Sequence, residues 1–327
     1  MHTPALMRKL RRMKATGAYL RAYEDVAFLR RDDLRPVRLQ LELLKPELLL
    51  RENGITSTVV VFGSTRTVSR QEMEPQVRRL QAKAKARPRD RVVRRDLAVA
   101  KRLLAKAKYY DEARRFARLV SLACQTGGRK DYVIVTGGGP GIMEAANRGA
   151  YDVGAKTIGL NITLPHEQYP NPYISPELCF QFHYFALRKM HFMMRAKAMA
   201  IFPGGYGTLD ELFEALTLVQ TGKVKSLPVI LFGKAWWSRL IDFKFLADEG
   251  VIAPEDLDLF RFAETAEEAW EKIQAYYRSR GGDGAPPGTA MERDDALPEI
   301  DPEATRGRRR TEAGRRARRR ARSRDRR

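Results

Sequence analysis

Apolar positions change period several times along the chain, and each change marks an element. Residues 57–67 (STVVVFGSTRT) are a β-branched run closed by a Gly/Ser/Thr turn, which predicts a buried strand. Residues 70–125 carry Leu, Ala, Lys and Arg in a helical mixture, and Pro88 predicts a break between two helices. Asp131–Thr136 predicts a second strand, running through GGGPG into a helix, IMEAANRGAYDVG. Lys156–Ile162 predicts a third strand, and Thr163 to Phe182 reads as a Pro-containing loop region. Beyond it the pattern predicts a helix over Ala186–Ala198, a strand over Met199–Phe202, a PGGYG turn and a helix over Thr208–Thr221. A strand at Leu227–Phe232, a helix at Trp236–Glu249, a short strand near Leu259–Phe262 and a helix at Ala266–Ser279 complete the series. Repeated β–α units imply an α/β fold of Rossmann-like type, a doubly wound parallel sheet with helices on both faces.

This divides the chain into a helical N-terminal extension (1–55), a Rossmann-like domain (56–281) and an Arg-rich tail (282–327). Within the extension, breaks are expected near Pro36 and Pro46. The tail, rich in Gly, Pro and charge, reads as disordered. From Arg306 to Arg327 thirteen arginines face only Glu312 and Asp325, so about half of the formal net charge of +21 sits there. A weak contact with a polyanion is the partner expected of it. The rest is moderately basic, which suits an anionic substrate without requiring nucleic acid.

No apolar stretch approaches the roughly 20 residues that span a bilayer, so no membrane partner is expected. The basic N-terminus lacks the apolar core of a secretory signal, and it reads as a plain helix in a cytoplasmic protein. Cys124 and Cys179, far apart in apolar surroundings, read as buried thiols without a disulfide or metal spacing. The Met run (Met190, Met193, Met194, Met199) reads as core. No cofactor and no metal are expected.

The chemistry gathers at three turns that end predicted strands. They are Gly63-Ser64-Thr65, the run Thr136–Gly141 and the run Pro203–Thr208. At the carboxyl ends of parallel strands such turns face one crevice, and a helix N-terminus offers free N–H groups to an oxyanion. Neither G-x-G-x-x-G nor G-x-x-x-x-G-K-[ST] occurs, so this is not a dinucleotide fingerprint or a P-loop. Each turn alone could be a tight connection without a ligand; three at equivalent strand ends argue otherwise. Thr208-Leu-Asp-Glu211 also fits a capping box, with Thr208 as N-cap and Glu211 reaching back to it, and Asp210 supporting the first helical turn.

PGGYGTLDE (203–211), with LRKMHFMMRAKAMAIF before it and TGGGPGIMEAANRGA upstream, resembles the Lonely Guy family, long mislabelled as lysine decarboxylases. The family's hallmark is PGGxGTxxE with an Arg-Lys pair upstream, and Arg188 stands fifteen residues before Pro203, followed by Lys189. The resemblance covers about residues 55–250. It implies a phosphoribohydrolase that cuts the N-glycosidic bond of a nucleoside 5′-monophosphate, such as AMP or an N6-substituted AMP of cytokinin type. It makes Arg188 and Glu211 catalytic. Substrate contacts would come from Gly63, Ser64, Gly138, Gly139, Glu167, Lys189, Gly204, Gly205, Tyr206, Gly207, Thr208 and Thr217. Short plant-type members carry M-H-x-R before the Lys, whereas Phe185, Ala186 and Leu187 precede Arg188 here; the 70–125 region and residues 162–168 resemble longer bacterial members. Family members pair, so a homodimer or an even multiple is expected.

Two other functions fit the residues. One is a broader purine or pyrimidine nucleotide nucleosidase of salvage. The other is a non-catalytic binder of nucleotide or molybdenum cofactor, which would need the turns but not the Arg188–Glu211 pair. Lysine decarboxylation is disfavoured, since nothing marks a Schiff-base lysine with pyridoxal-phosphate partners.

Overall fold

A computed structural model of the chain describes residues 3–163 and 169–279. The chain divides into two units, Met1–Gly288 and Thr289–Arg327, and the described residues all lie in the first. The tail and Glu167 therefore fall outside the described residues.

Among the described residues seven strands form one sheet: β1 (Thr58–Phe62), β2 (Val133–Thr136), β3 (Thr157–Ile162), β4 (Cys179–Phe182), β5 (Ala196–Ile201), β6 (Val229–Phe232) and β7 (Phe260–Ala263). Their order is β4-β3-β2-β1-β5-β6-β7, and every pairing is parallel. The chain thus winds outward from β1 to β4, returns to β5 beside β1, and winds outward again. The point of return is the switch at which open α/β sheets bind ligands.

Among the described residues there are twelve α-helices. On the N-terminal side are α1 (Pro4–Lys14), α2 (Val26–Leu29) and α3 (Arg35–Glu52). Between β1 and β2 lie α4 (Arg70–Ala86), α5 (Arg91–Ala105) and α6 (Ala107–Cys124). Then follow α7 (Ile142–Tyr151), α8 (Phe185–Met194), α9 (Tyr206–Gln220), α10 (Lys234–Leu240), α11 (Phe243–Asp248) and α12 (Ala266–Arg278). None of the described helices is long and apolar enough to cross a membrane.

Strand β1 explains why both faces need cover. Its five residues are all buried, and successive side chains enter opposite cores. Val59 and Val61 join the core under α6, α7 and α12, whereas Val60 and Phe62 join the core under α3, α8 and α9. A strand buried on both sides reads as a continuous apolar run, which is the pattern of VVVF. Helices α4 and α5 form a hairpin around a small cluster of their own, Met73, Val77 and Ala100.

Several elements depart from the sequence pattern. Residues 163–182 contain an edge strand, β4, whose four residues alternate in burial. The helix expected over 186–198 stops at Met194, because Ala196–Ala198 already pair with β1. The expected helix 236–249 is two helices, α10 and α11, the second capped by Asp242. Pro46 sits buried within α3 without ending it, since Leu43, Leu49 and Leu50 pack onto the sheet on both sides of it. Cys179 is only half-buried, unlike Cys124, and both are free. Met190 and Met194 are exposed, so only Met199 and Met193 face the core.

Candidate active site

The turns after β1, β2 and β5 are neighbours because these three strands are neighbours. Backbone hydrogen bonds stitch them together. The Phe202 amide donates to Phe62 O (2.9 Å), the Ser64 amide to Pro203 O (3.2 Å) and the Ile142 amide to Ser64 O (3.1 Å). Gly141 has φ of +74°, and a Cβ there would run into the Ser64 and Thr65 carbonyl groups, so only glycine lets the β1 and β2 turns approach this closely.

Together they form the wall of a cleft of about 310 Å³. Phe62, Gly63, Ser64, Thr65 and Arg66 line it from the β1 turn. Gly137 and Met143 line it from the β2 turn and α7, Phe185 and Arg188 from α8, and Gly205, Gly207, Thr208, Asp210 and Glu211 from the start of α9. Gly205 is the N-cap of α9, and no side chain accepts from the helix's first amides. A Cβ at Gly205 or Gly207 would meet nothing within 4 Å, so that space is open to a ligand. An uncapped helix start with a positive dipole end facing a cleft is a site for an anion.

Arg188 lies beneath these turns. Its Nε donates to Leu160 O at 2.7 Å, and its guanidinium rests 5.2 Å from the Phe192 ring centre. A Cβ at Gly137 would stand 2.5 Å from Arg188 Nη2, so glycine there clears the guanidinium's place. Burial pulls the Arg188 pKa below its ordinary value, against the opposing pull of the Glu211 carboxylate. Glu211 is affected more strongly. Burial pushes its carboxyl up to about 7, although Lys189 and Arg188 draw it down. Desolvation therefore outweighs both cations, and Glu211 exchanges a proton near neutrality, as a general base or acid requires.

Glu211 is not a helix cap. The helix begins at Tyr206, two residues before the expected start, which puts Thr208 in the first turn and Glu211 in the second. The capping-box reading is thereby overturned, and Glu211 is free to face the cleft.

Of the residues singled out from the sequence, Gly63, Ser64, Arg188, Gly205, Gly207, Thr208 and Glu211 converge on the cleft. Gly138 and Gly139 do not line it. Their carbonyl groups accept from Asn171, whose side chain also donates to Asn147, and Asn147 binds Thr136 and Thr157. That buried network holds the β2 turn from behind. Gly204 packs against Thr208, Tyr206 points into solvent at 93% exposure, and Thr217 is exposed and donates to Phe213 O at 2.7 Å. Lys189 does not itself line the cleft; it bridges Asp210, which does, and Glu214, each at 2.8 Å. Burial disfavours its ammonium, but those two carboxylates prevail and raise it to about 12.

Sequence reasoning passed over Arg66, Gly137, Met143, Phe185 and Asp210 as cleft residues. It also treated residues 1–55 as accessory, yet α3 holds α8 in place. Glu42 accepts from the backbone amides of His183 and Tyr184 (3.1 Å for the latter), at the start of α8. Glu47 accepts from Arg195, and His191 Nδ1 stands 3.4 Å from the same oxygen. Burial works against the Glu47 carboxylate, but His191 and Arg195 together hold it down at about 2. Among the described residues no group of His, Cys, Asp and Glu could hold a metal ion.

A family model described as "possible lysine decarboxylase" matches residues 143–273. The probable cytokinin riboside 5′-monophosphate phosphoribohydrolase LOGL3 of Oryza sativa subsp. japonica is 29% identical over 179 residues, which are 50% of this chain and 79% of its own. The cytokinin riboside 5′-monophosphate phosphoribohydrolase LOG3 of Arabidopsis thaliana is 29% identical over 175 residues, 52% of this chain and 77% of its own. The family match spans both Arg188 and Glu211, and the chain is similar to these phosphoribohydrolases of the Lonely Guy family.

Proposed function

We propose that the protein hydrolyses the N-glycosidic bond of a nucleoside 5′-monophosphate, AMP or an N6-substituted AMP, to free base and ribose 5-phosphate. The observation that carries this reading is the convergence of Arg188 and Glu211, with its carboxyl at about 7, beside an uncapped helix start. The phosphate lies on the amides of Gly205 and Gly207 with the Thr208 hydroxyl. Breaking the bond between C1′ and the base nitrogen builds positive charge on the ribose, as in glycoside hydrolysis. The Glu211 carboxylate stabilises that charge and takes a proton from the water whose oxygen bonds to C1′. The departing base takes a proton from solvent. Arg188, fixed by Leu160 O, holds the ribose and tempers the charge of Glu211.

One observation favours a broad choice of base. Phe185 stands where short plant-type members carry Met, lines the cleft and is 53% exposed, and a ring face accepts any base by stacking. A panel of purine and pyrimidine nucleoside monophosphates, with the matching nucleosides, tests both points through release of ribose 5-phosphate. The expected result is turnover of monophosphates and none of nucleosides; equal turnover of adenosine and AMP overturns the reading. A second copy of the chain is the partner best supported by the exposed Phe185, Met190 and Met194 of α8 and Phe213 of α9, close to the cleft. A monomer of full activity by light scattering at micromolar concentration contradicts it.

A further inference from the structure

The cleft holds two guanidinium groups, and they are differently committed. Arg188 is buried, bound to Leu160 O and set beside Glu211. Arg66 is exposed on the β1 turn, and among the described residues its side chain has neither an ion pair nor a hydrogen-bond acceptor. Its backbone, in contrast, is fixed. The Arg66 amide donates to Ser64 Oγ at 3.0 Å, and the Ser64 amide binds Pro203 O, in the loop that leads into α9. Arg66 is therefore anchored at a set distance from the open amides of Gly205 and Gly207, with a free guanidinium in the same cleft.

Electrostatics gives that guanidinium a task. A phosphate monoester carries nearly two negative charges at neutral pH. A helix start supplies only about half a positive charge. The carboxyl groups of Asp210 and Glu211 line the same cleft and add no positive charge to it. Lys189 offsets Asp210, which it bridges together with Glu214, and so presents no unpaired ammonium to a phosphate. Arg188 lies at the Glu211 end. We infer that Arg66 binds the 5′-phosphate through its guanidinium fork, opposite the amides of Gly205 and Gly207, and so decides between nucleotide and nucleoside. This rests on the nucleotide reading above. Arg66 lies outside the three segments that carry the family resemblance, 136–150, 187–202 and 203–211. A bidentate, charge-assisted contact also suits Arg better than Lys.

The test uses the full chain as wild type, Arg66→Ala and Arg66→Lys. Titration calorimetry gives affinities for ribose 5-phosphate, AMP and adenosine, and steady-state assays give KM and kcat for AMP. Arg66→Ala should weaken ribose 5-phosphate and AMP by roughly 10- to 100-fold. Adenosine affinity should not change, KM for AMP should rise and kcat should stay within about twofold. Arg66→Lys should recover part of the loss. Unchanged ribose 5-phosphate affinity in Arg66→Ala overturns the inference. So does an equal loss for AMP and adenosine, which marks a structural role. A wild type that binds ribose 5-phosphate no better than ribose overturns it too. Because binding is read without turnover, a wild type that binds AMP tightly but releases no base defeats the hydrolase reading while the Arg66 comparison still stands.

Discussion

The start of α9 at the cleft and the starts of four helices away from it are built differently. Away from it, α4, α5, α11 and α12 start on Ser69, Asp90, Asp242 and Thr265, and each side chain accepts from an amide of the first turn. At the cleft, α7 and α9 start on Gly141 and Gly205, with no side-chain cap. A side-chain cap is worth only a few tenths of a kcal/mol over glycine, so α9 forgoes little stability by leaving its amides open. The difference separates donors used by the fold from donors kept for a ligand. The missing cap alone does not mark the site, since α3, α6 and α10 also start without one; at α9 it coincides with the open cleft.

The sharpest way to break this contrast is at Glu211, the residue that imitates a cap in sequence. Glu211→Gln should lower release of ribose 5-phosphate by roughly 10²-fold or more, because the carboxylate is lost. Its melting temperature at pH 8 should not fall, since the carboxyl's pKa of about 7 means that burying the charge costs stability there. The linkage runs in one direction. The proton is bound more tightly in the folded protein than at the ordinary value of 4.5, so Glu211 favours folding at low pH and that contribution fades as pH rises through about 7. Turnover, which needs the ionised form, should rise over the same interval. A pH–rate profile measured together with melting curves should show the two moving in opposite senses.

Next in size is the conversion of the α9 start into one of the other kind. Gly205 has extended backbone (φ −94°) and open space at Cβ, so Gly205→Asp can cap α9 without strain. AMP affinity should fall by roughly tenfold or more, as the new carboxylate occupies the amides and repels phosphate. Stability should rise by only a few tenths of a kcal/mol, since glycine is itself a fair N-cap. Unchanged AMP affinity would show that α9 does not hold the phosphate.

Smaller effects are expected where the helix start is not part of the cleft. Glu47→Gln should cost about 1–3 kcal/mol by weakening the anchor of α8 to α3, read from denaturant unfolding at pH 7. Because the wild-type Glu47 pKa is about 2, below the ordinary 4.5, its contribution is present above pH 4.5 and lost as pH falls toward 2. The difference between mutant and wild type should vanish in acid. Ser69→Ala should cost about 1 kcal/mol and leave AMP turnover at the wild-type level. A loss of activity there would erase the distinction between the two kinds of helix start.

Much of this was legible in the chain itself. VVVF and the three glycine turns announce buried parallel strands that end at phosphate-suited loops, and Arg188 and Glu211 were legible through the PGGxGTxxE spacing. The start of α9 was not, because Thr208-x-x-Glu211 has the letters of a capping box and only the backbone at Gly205 places the true start. Strand β4 is four residues at a sheet edge just after Pro176, too short for a period to stand out. The partners of Lys189 and Glu47 lie on other helices, so their charges look solvated in sequence and are half-buried in the fold. Arg66 stood in plain view in FGSTRT, but a lone arginine in a turn gives no signal until the cleft is assembled around it.

The stitching of the turns also has a kinetic side. Ser64 binds Pro203, and Ile142 binds Ser64, so the pocket is closed by contacts between segments far apart in the chain. Strand β1 pairs with β2 on one flank, but its other flank waits for β5, which is made much later during synthesis. Until then the growing chain exposes an unpaired edge of Thr-Val-Val-Val-Phe, and such edges recruit other chains. Closing the pocket and hiding that edge are one event, so a nascent chain that stalls before β5 is both ligand-free and prone to aggregate.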